Sequence, residues 1–175
     1  MKFVAITGAK KSGKSTLMRQ IKEDLLVLPI EVDGLLTYEV FEGESLVGLD
    51  LLRIKTNEVL PLARIGFESN IRTQSFGFYP EAFNIQFSII NQINKLNTTL
   101  LLDEIGVLEI RDLGWHPLMV DISQRRYQAV IVVLRKNLFC DLTKKYNLRY
   151  DLLVDLDSTD FNLATLKQRI VYFVC

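Results

Sequence analysis

Apolar residues follow two alternating patterns along this chain. Four short runs of mostly apolar residues lie at 2–7, 98–106, 127–136 and 149–156. Unbroken runs of this length are typical of strands that are buried on both faces. Between them, apolar residues recur every three or four positions, as in helices with one buried face. Strands that alternate with helices predict an α/β fold with a mostly parallel central sheet and helices on both faces.

Five segments have the helical pattern. Helices are predicted over 14–26, from Pro80 with Phe83, Phe87, Ile90 and Ile93 on one face, over 113–126, over 137–147 and over 157–174. The last helix has Ser158 or Thr159 available as its N-cap, because a hydroxyl there can accept from a free backbone N–H. Its predicted inner face is Phe161, Leu166, Ile170 and Phe173.

The first third of the chain has a different pattern. Residues 34–54 hold two β-rich runs separated by Glu42–Ser45, which predicts an antiparallel hairpin added to the sheet. Residues 58–67 predict a third strand, with Pro61 near a sheet edge. Because no linker, repeat or low-complexity segment divides the chain, we expect residues 1–175 to form one domain.

The composition narrows the class of protein. The chain has 21 Lys and Arg residues against 21 Asp and Glu residues, and this balance makes nucleic-acid binding unlikely. No run of 18 apolar residues predicts a membrane span, and the N-terminal residues lack the pattern of a secretory leader. The two cysteines do not indicate a disulfide framework. We therefore expect a cytoplasmic protein without a membrane partner.

The clearest motif follows the first apolar run. Residues Gly8 to Ser15 fit G-x-x-x-x-G-K-S/T, with a strand before them and a helix after them, which is the context of a phosphate-binding P-loop (Walker A motif). We expect the nucleotide to be bound by Gly8, Ala9, Lys10, Lys11, Ser12, Gly13, Lys14, Ser15 and Thr16. Lys14 would reach the β- and γ-phosphates and the Ser15 hydroxyl would ligate Mg²⁺. The side chains of Lys10 and Lys11 are expected to be solvated.

A second motif supplies carboxylates. Leu100–Leu102 lead into Asp103 and Glu104. An aspartate at the end of such a strand is placed to hold Mg²⁺ through a water (Walker B motif). Glu104 is the predicted catalytic carboxylate that orients and deprotonates an attacking water. Arg135, the other predicted catalytic residue beside Lys14, and Lys136 end the next apolar run, where positive charge could neutralise the γ-phosphate.

With these motifs, the chain resembles the small P-loop nucleoside-triphosphatases, a family that includes a human cancer-related enzyme and thermostable prokaryotic relatives. The resemblance is carried by residues 6–17, by the hairpin 34–52 with Glu39, Gly48 and Asp50, and by residues 100–110 with Glu109. It implies a P-loop fold and Mg²⁺-dependent hydrolysis of several nucleoside triphosphates. It also implies that Glu39 approaches the site.

Lys11 departs from the family pattern, which often has glycine at this position. Because glycine tolerates a positive φ that lysine avoids, we expect a different loop geometry in this chain.

The expected function is therefore a Mg²⁺-dependent nucleoside-triphosphatase with loose base selectivity. No guanine-reading N-K-x-D motif is present in the sequence. Two alternatives stay open: a nucleotide-binding adaptor or GTP-binding protein of the molybdenum-cofactor-assembly type, and a small P-loop kinase. A protein partner is also left open.

Overall fold

A computed structural model describes residues 1–158 and 162–175. Its strands are β1 (Lys2–Thr7), β2 (Glu31–Glu42), β3 (Ser45–Arg53), β4 (Glu58–Arg64), β5 (Gly77–Phe78), β6 (Thr98–Ile105), β7 (Ala129–Leu134) and β8 (Leu152–Asp155). Its α-helices are α1 (Lys14–Leu26), α2 (Ile85–Gln92), α3 (Val107–Ile110), α4 (His116–Ser123), α5 (Phe139–Lys145) and α6 (Leu163–Val174). Short 3₁₀ turns cover Pro80–Asn84, Lys95–Asn97 and Lys136–Leu138.

One eight-stranded sheet organises the described residues, in the order β5-β4-β3-β2-β6-β7-β1-β8. The strand pairs β2–β6, β6–β7, β7–β1 and β1–β8 are parallel. The pairs β2–β3, β3–β4 and β4–β5 are antiparallel and lie at the other side of the sheet. The mostly parallel sheet and the antiparallel hairpin of the first third are thus confirmed. Because β1, β6 and β7 are parallel, their carboxyl ends lie at the same edge of the sheet, where α/β proteins bind ligands.

Two apolar cores cover the two faces of the sheet. The side chains of β1 alternate between them, with Val4 and Ile6 on one face and Phe3 and Ala5 on the other. The first face packs against α1 and α6, and the second against α2, α4 and α5. This two-sided cover explains the unbroken apolar runs of β1, β6 and β7.

The junction between the parallel and antiparallel parts depends on one glycine. Gly34 lies on β2 opposite Leu101 of β6 and has a φ of 146°. A Cβ there would lie 2.0 Å from the Leu101 carbonyl oxygen. The absence of a side chain therefore allows β2 to pair with β6 and connects the hairpin to the parallel strands.

Two predicted helices differ in detail. The segment from Pro80 starts as a 3₁₀ turn and becomes helical only at Ile85. Phe83 is buried and Ile90 and Ile93 pack against the core as predicted, whereas Phe87 is 48% exposed and Ile89 is fully buried instead. The last helix begins at Leu163, capped by Asn162, whose side chain accepts from the Thr165 N–H at 2.8 Å. Ser158 instead donates to the Asp155 carbonyl. Thr159 and Phe161 lie outside the described residues.

Within residues 1–158 and 162–175, no helix combines the length and the apolar character that crossing a membrane requires.

Candidate active site

The loop between β1 and α1 keeps the P-loop conformation with a lysine in an unusual place. Gly8 and Gly13 have φ values of 152° and 94°, and a Cβ at Gly8 would lie 2.6 Å from Ser12 Oγ. Lys11 has a φ of 64°, so it occupies the left-handed region itself. The expectation that lysine would avoid this conformation is wrong. The residue bears the backbone strain instead.

The Lys14 ammonium lies across the mouth of this loop. It donates to the Gly8 carbonyl at 3.0 Å and to the Ala9 carbonyl at 2.6 Å. The charge is therefore held beside the backbone amides that follow Gly8, where a phosphate chain would be bound. The side chains of Lys10 and Lys11 are exposed, as expected, and Thr16 is also exposed.

Asp103 is a buried carboxylate with unused bonding capacity. It lies near the carboxyl end of β6, is 4% exposed, and its Oδ1 has no hydrogen-bond partner. Burial raises its pKa to about 6, although the nearby Ser15 hydroxyl opposes this shift. Removing a carboxylate from water without pairing it is costly, which points to a cation that is bound during function.

The oxygen atoms of Asp103 and Ser15 are suitable ligands for Mg²⁺. A carboxylate and a hydroxyl are hard oxygen ligands, and Mg²⁺ is usually held by one or two such groups together with phosphates and waters. In the part of the chain that the structure describes, no three His, Cys, Asp or Glu residues group into a metal site. Ser15 and Asp103 would therefore hold the ion jointly with a bound nucleotide.

Glu104 points into the open cleft beside Arg135. Its side chain is 44% exposed, and Glu104 Oε1 lies 3.5 Å from Arg135 Nε. The Thr37 hydroxyl of β2 donates to the Asp103 carbonyl at 2.8 Å, which fixes the end of β6. The strand ends thus place a solvated carboxylate and a guanidinium together at the mouth of the cleft.

Lys136 also lines the cleft, but its ammonium is held by two aspartates. Its ammonium pairs with Asp157 at 2.7 Å and with Asp155 at 3.2 Å, and the hydrogen bond to Asp157 is the main reason that its pKa is raised. Asp157 also accepts from the Ala9 N–H at 2.8 Å. Lys136 and Asp157 therefore tie the loops after β7 and β8 to the P-loop.

Sequence reasoning missed Arg19. It lies on α1, one helical turn after Ser15, and its guanidinium stacks 4.4 Å from the ring centroid of Tyr38. Its Nε is buried without a hydrogen-bond partner, and its charge acts to lower the pKa of Asp103. The i, i+4 spacing from Ser15 was the available signal.

Glu109 also has a defined role. It is 3% exposed and accepts from the Gly106 N–H at 2.7 Å and from the Trp115 N–H at 2.9 Å. These bonds hold the turn that follows Asp103 and Glu104. Burial raises the pKa of Glu109, and the two backbone donors oppose that shift. It is a structural residue buried behind the strand end.

One cleft of about 1180 Å³ brings the predicted residues together. Its walls include the whole segment 8–16 with Asp103, Glu104 and Arg135, and also Arg19, Thr37 and Glu39. The volume is large enough to hold a small-molecule ligand. The geometry brings together the backbone amides of the loop, a buried carboxylate near a hydroxyl, and an exposed carboxylate, which are the kinds of group that phosphoryl transfer uses.

Comparisons with known proteins agree with this arrangement. The model of a family described as NTPase matches residues 3–170. The chain is similar to "Nucleoside-triphosphatase THEP1" from Natranaerobius thermophilus, with 28% identity over 81% of this chain and 80% of the relative. A protein of the same name from Methanocaldococcus jannaschii is 30% identical over 77% of this chain and 78% of the relative.

Two solved structures share the fold. The crystal structure of THEP1 from Aquifex aeolicus superimposes with a TM-score of 0.73 at 19% identity and covers 98% of each chain. The solution structure of a human cancer-related nucleoside triphosphatase gives a TM-score of 0.72 at 20% identity, covering 99% of this chain and 97% of the other.

Proposed function

The chain belongs to the NTPase family, and from that premise we propose that it hydrolyses several nucleoside triphosphates to diphosphate and phosphate in a Mg²⁺-dependent reaction. Hydrolysis of nucleoside triphosphates is the activity named for its relatives, and the chain is an enzyme of this class. The observation that carries the detailed proposal is the buried Asp103 carboxylate, whose Oδ1 has no hydrogen-bond partner, with Glu104 next to it in the same cleft as the P-loop.

Binding of the triphosphate is assigned to the P-loop. The backbone N–H groups of residues 8–16 donate to the phosphates, and the N-terminus of α1 favours their negative charge. Lys14 leaves the Gly8 and Ala9 carbonyls, which it now contacts, for the β- and γ-phosphates. Ser15 and Asp103 hold Mg²⁺. Neutralisation of phosphate charge is the chemistry that Mg²⁺ supplies when it is bound there.

The hydrolytic step is assigned to Glu104 and Arg135. Glu104 takes a proton from water while the water oxygen forms a bond to the γ-phosphorus and the bond to the β–γ bridging oxygen breaks. Arg135, 3.5 Å from Glu104 Oε1, orients this carboxylate and provides positive charge for the transferring group. Loose base selectivity is proposed because the sequence lacks an N-K-x-D motif.

The adaptor alternative is less well supported than hydrolysis. An adaptor needs nucleotide binding alone, whereas this cleft also presents an exposed carboxylate where the γ-phosphate would lie. The phosphotransferase alternative depends on whether the cleft has room for an acceptor.

Phosphate release tests the proposal. ATP, GTP, CTP and UTP are compared with Mg²⁺ and with EDTA, for the wild type, Lys14→Ala and Glu104→Gln. We expect hydrolysis of all four nucleotides only with Mg²⁺, and a loss of about 100-fold or more in either variant. Glu104→Gln should still bind a non-hydrolysable ATP analogue.

The matched controls are Lys144→Ala on the exposed face of α5 and Glu81→Gln on the surface. Both should hydrolyse at the wild-type rate. Full activity of Glu104→Gln would contradict its role as the base, and activity in EDTA would contradict the metal requirement.

A further inference from the structure

The cleft continues beyond the residues that a triphosphate needs. Its far part, which we call the apolar arm, is lined by Leu46, Leu49, Leu62, Phe76, Phe83 and Trp115. Leu62, Phe83 and Trp115 are 3%, 6% and 4% exposed and form its floor, while Leu46, Leu49 and Phe76 are half-buried at its sides. A phosphate chain needs donors and positive charge, and these six side chains provide neither.

The position of the arm in the sheet separates it from the nucleoside. Leu46 and Leu49 lie on β3, and Leu62 lies on β4, on the far side of β2 and β6 from the P-loop strand β1. The other end of the P-loop faces the opposite edge. There, Asp157 holds Ala9, and a Cβ at Gly13 would lie 3.5 Å from Leu163 of α6.

This arrangement gives the bound triphosphate a direction, given the function proposed above. Its γ end is set by Asp103 and Glu104 at the end of β6, and the other end of the P-loop lies beside Asp157 and Leu163. The nucleoside then extends toward the side of β8 and α6. The apolar arm then opens on the γ side. An occupant of the arm is a second molecule and not the base of the nucleotide.

The residues where the apolar arm meets the γ-phosphate site limit the chemistry of the molecule that occupies the arm. Glu104 and Glu39 are both exposed and line the cleft, and Thr37 lines it as well. Carboxylate oxygens accept hydrogen bonds, so these two side chains favour a group that donates them. The walls of the arm favour an aromatic or branched aliphatic body, because apolar and aromatic groups gain most from this burial.

We propose that the apolar arm binds a small alcohol with an aromatic or branched aliphatic body, and that the enzyme transfers the γ-phosphoryl group to its hydroxyl as well as to water. This inference rests on the proposed function of the same site. The alcohol oxygen forms a bond to the γ-phosphorus, and its proton passes to the Glu104 carboxylate. The bond from the γ-phosphorus to the bridging oxygen breaks, and the diphosphate leaves with that electron pair.

The stoichiometry of the products distinguishes transfer from hydrolysis. ADP and inorganic phosphate are measured separately during turnover of Mg·ATP, with 2-phenylethanol or cyclohexylmethanol as the probe. Hydrolysis gives equal amounts, whereas transfer makes ADP exceed phosphate. We expect an excess of about twofold or more, because a bound acceptor is oriented and free water is not. Phosphorus NMR should show the phosphate monoester in the missing amount.

A variant pair locates the effect in the apolar arm. Leu46→Glu places a charge at its side and should return the ratio of ADP to phosphate to one. Leu46→Trp, which fills the arm without a charge, should do the same. Val59→Glu is the matched control, because Val59 lies on β4 with 59% exposure and does not line the cleft. It should retain the excess. A loss of activity that affects transfer and hydrolysis equally leaves the ratio of ADP to phosphate unchanged.

The outcomes separate the two proposals. If no phosphate is released without alcohol, the proposed hydrolytic function fails. If hydrolysis proceeds and the ratio stays at one with both alcohols, the inference about the arm is overturned. It is also overturned if the alcohols compete with ATP, since the arm would then hold the nucleoside. Trp115, the single tryptophan, reports binding through its fluorescence, and an unchanged signal at both alcohols would likewise contradict the inference.

Discussion

Lys11 combines an exposed side chain with a φ of 64° in the P-loop. The left-handed conformation costs a residue with a Cβ about 1–2 kcal/mol. Glycine would remove this strain but would lose about 0.5–1 kcal/mol more backbone entropy on folding. We therefore predict that Lys11→Gly increases the free energy of unfolding by about 0.5–1 kcal/mol, as measured by urea denaturation.

Lys10→Gly is the matched control for this substitution. Lys10 is also exposed, and its φ is not positive, so glycine offers only the entropic loss. A stability decrease in Lys11→Gly as large as that in Lys10→Gly would show that the loop holds no such strain.

Asp103 is predicted to reduce stability in the absence of metal. Its folded-state pKa of about 6 exceeds the ordinary value of 3.8, so the native state binds more protons between these values. Stability therefore falls as pH rises through this window, by about 3 kcal/mol in total. In EDTA, Asp103→Asn should be more stable than the wild type at pH 8, with the difference vanishing near pH 4.

The control for Asp103→Asn is a carboxylate whose pKa is lowered by its surroundings. Asp112 is exposed, and its hydrogen bond to Lys145 lowers its pKa. Asp112→Asn should therefore give no gain at pH 8. If urea denaturation of Asp103→Asn showed no dependence on pH relative to the wild type, the buried charge would not be costly.

At the scale of single residues, the sequence predicted the site residues that belong to a local motif. Gly8–Thr16 and Asp103–Glu104 are contiguous stretches with fixed spacing, and the structure brings them into one cleft with Arg135. Asp157 was missed because its contact with Ala9 joins residues 148 positions apart. Lys136 was assigned to the phosphate on position alone, and its two aspartate partners could not be known without the loop after β8. The catalytic and ligand roles of these residues remain predictions.

The pairing of β2 with β6 is the element on which the antiparallel addition depends. Alanine at residue 34 would force its Cβ within 2.0 Å of the Leu101 carbonyl oxygen, so the strands must separate. We predict that Gly34→Ala lowers the free energy of unfolding by about 3 kcal/mol or more, since such a backbone clash cannot relax through a side chain. Thermal denaturation measures the loss.

Gly66→Ala is the control for Gly34→Ala. It has a φ of 77°, but a Cβ there would meet nothing within 4 Å. Gly66→Ala should cost only about 1 kcal/mol, from backbone strain alone. Equal losses in the two variants would mean that conformation matters at Gly34 and close strand approach does not.

Helices were predicted well where one periodicity runs through the whole element. The helix over 14–26 has the predicted bounds, with Leu17, Ile21 and Leu25 buried. In the segment from Pro80, three residues per turn in the 3₁₀ part shift the face that reaches the core, and a 3.6-residue period cannot show this. The predicted burial of Phe87 was wrong for this reason, whereas Phe83, Ile90 and Ile93 reach the core as predicted.

The whole molecule should be stabilised by the nucleotide that it binds. Segments after β1, β6 and β7 meet at the cleft, and Asp157 after β8 holds Ala9 of the P-loop, so a ligand bound there holds distant parts of the chain together. With Mg²⁺ and a non-hydrolysable ATP analogue at 100 times its dissociation constant, the gain is about 2.7 kcal/mol, which corresponds to a Tm increase of roughly 5–10 °C.

Thermal scans of wild type and Lys14→Ala check this prediction. Without the ammonium, the analogue should bind weakly and the increase in Tm should largely disappear. An equal increase in Lys144→Ala and in Lys14→Ala would place the ligand outside the P-loop.

At the largest scale, the fold class could be predicted and the strand order could not. Alternating apolar strands and helices imply parallel pairing, but nothing local in residues 2–7 shows that β1 lies between β7 and β8. That order depends on packing between residues far apart in sequence. The single-domain organisation of 1–175, the cytoplasmic location and the absence of nucleic-acid binding remain predictions.

The central position of β1 has a consequence for the making of the protein. Its two neighbours, β7 and β8, come from residues 129–155, so the strand that carries the phosphate loop has nothing to pair with while earlier residues leave the ribosome. Nucleotide capture should therefore be among the last properties that the nascent polypeptide acquires. A translation product arrested before residue 129 would hold its glycine loop on an unpaired, aggregation-prone strand.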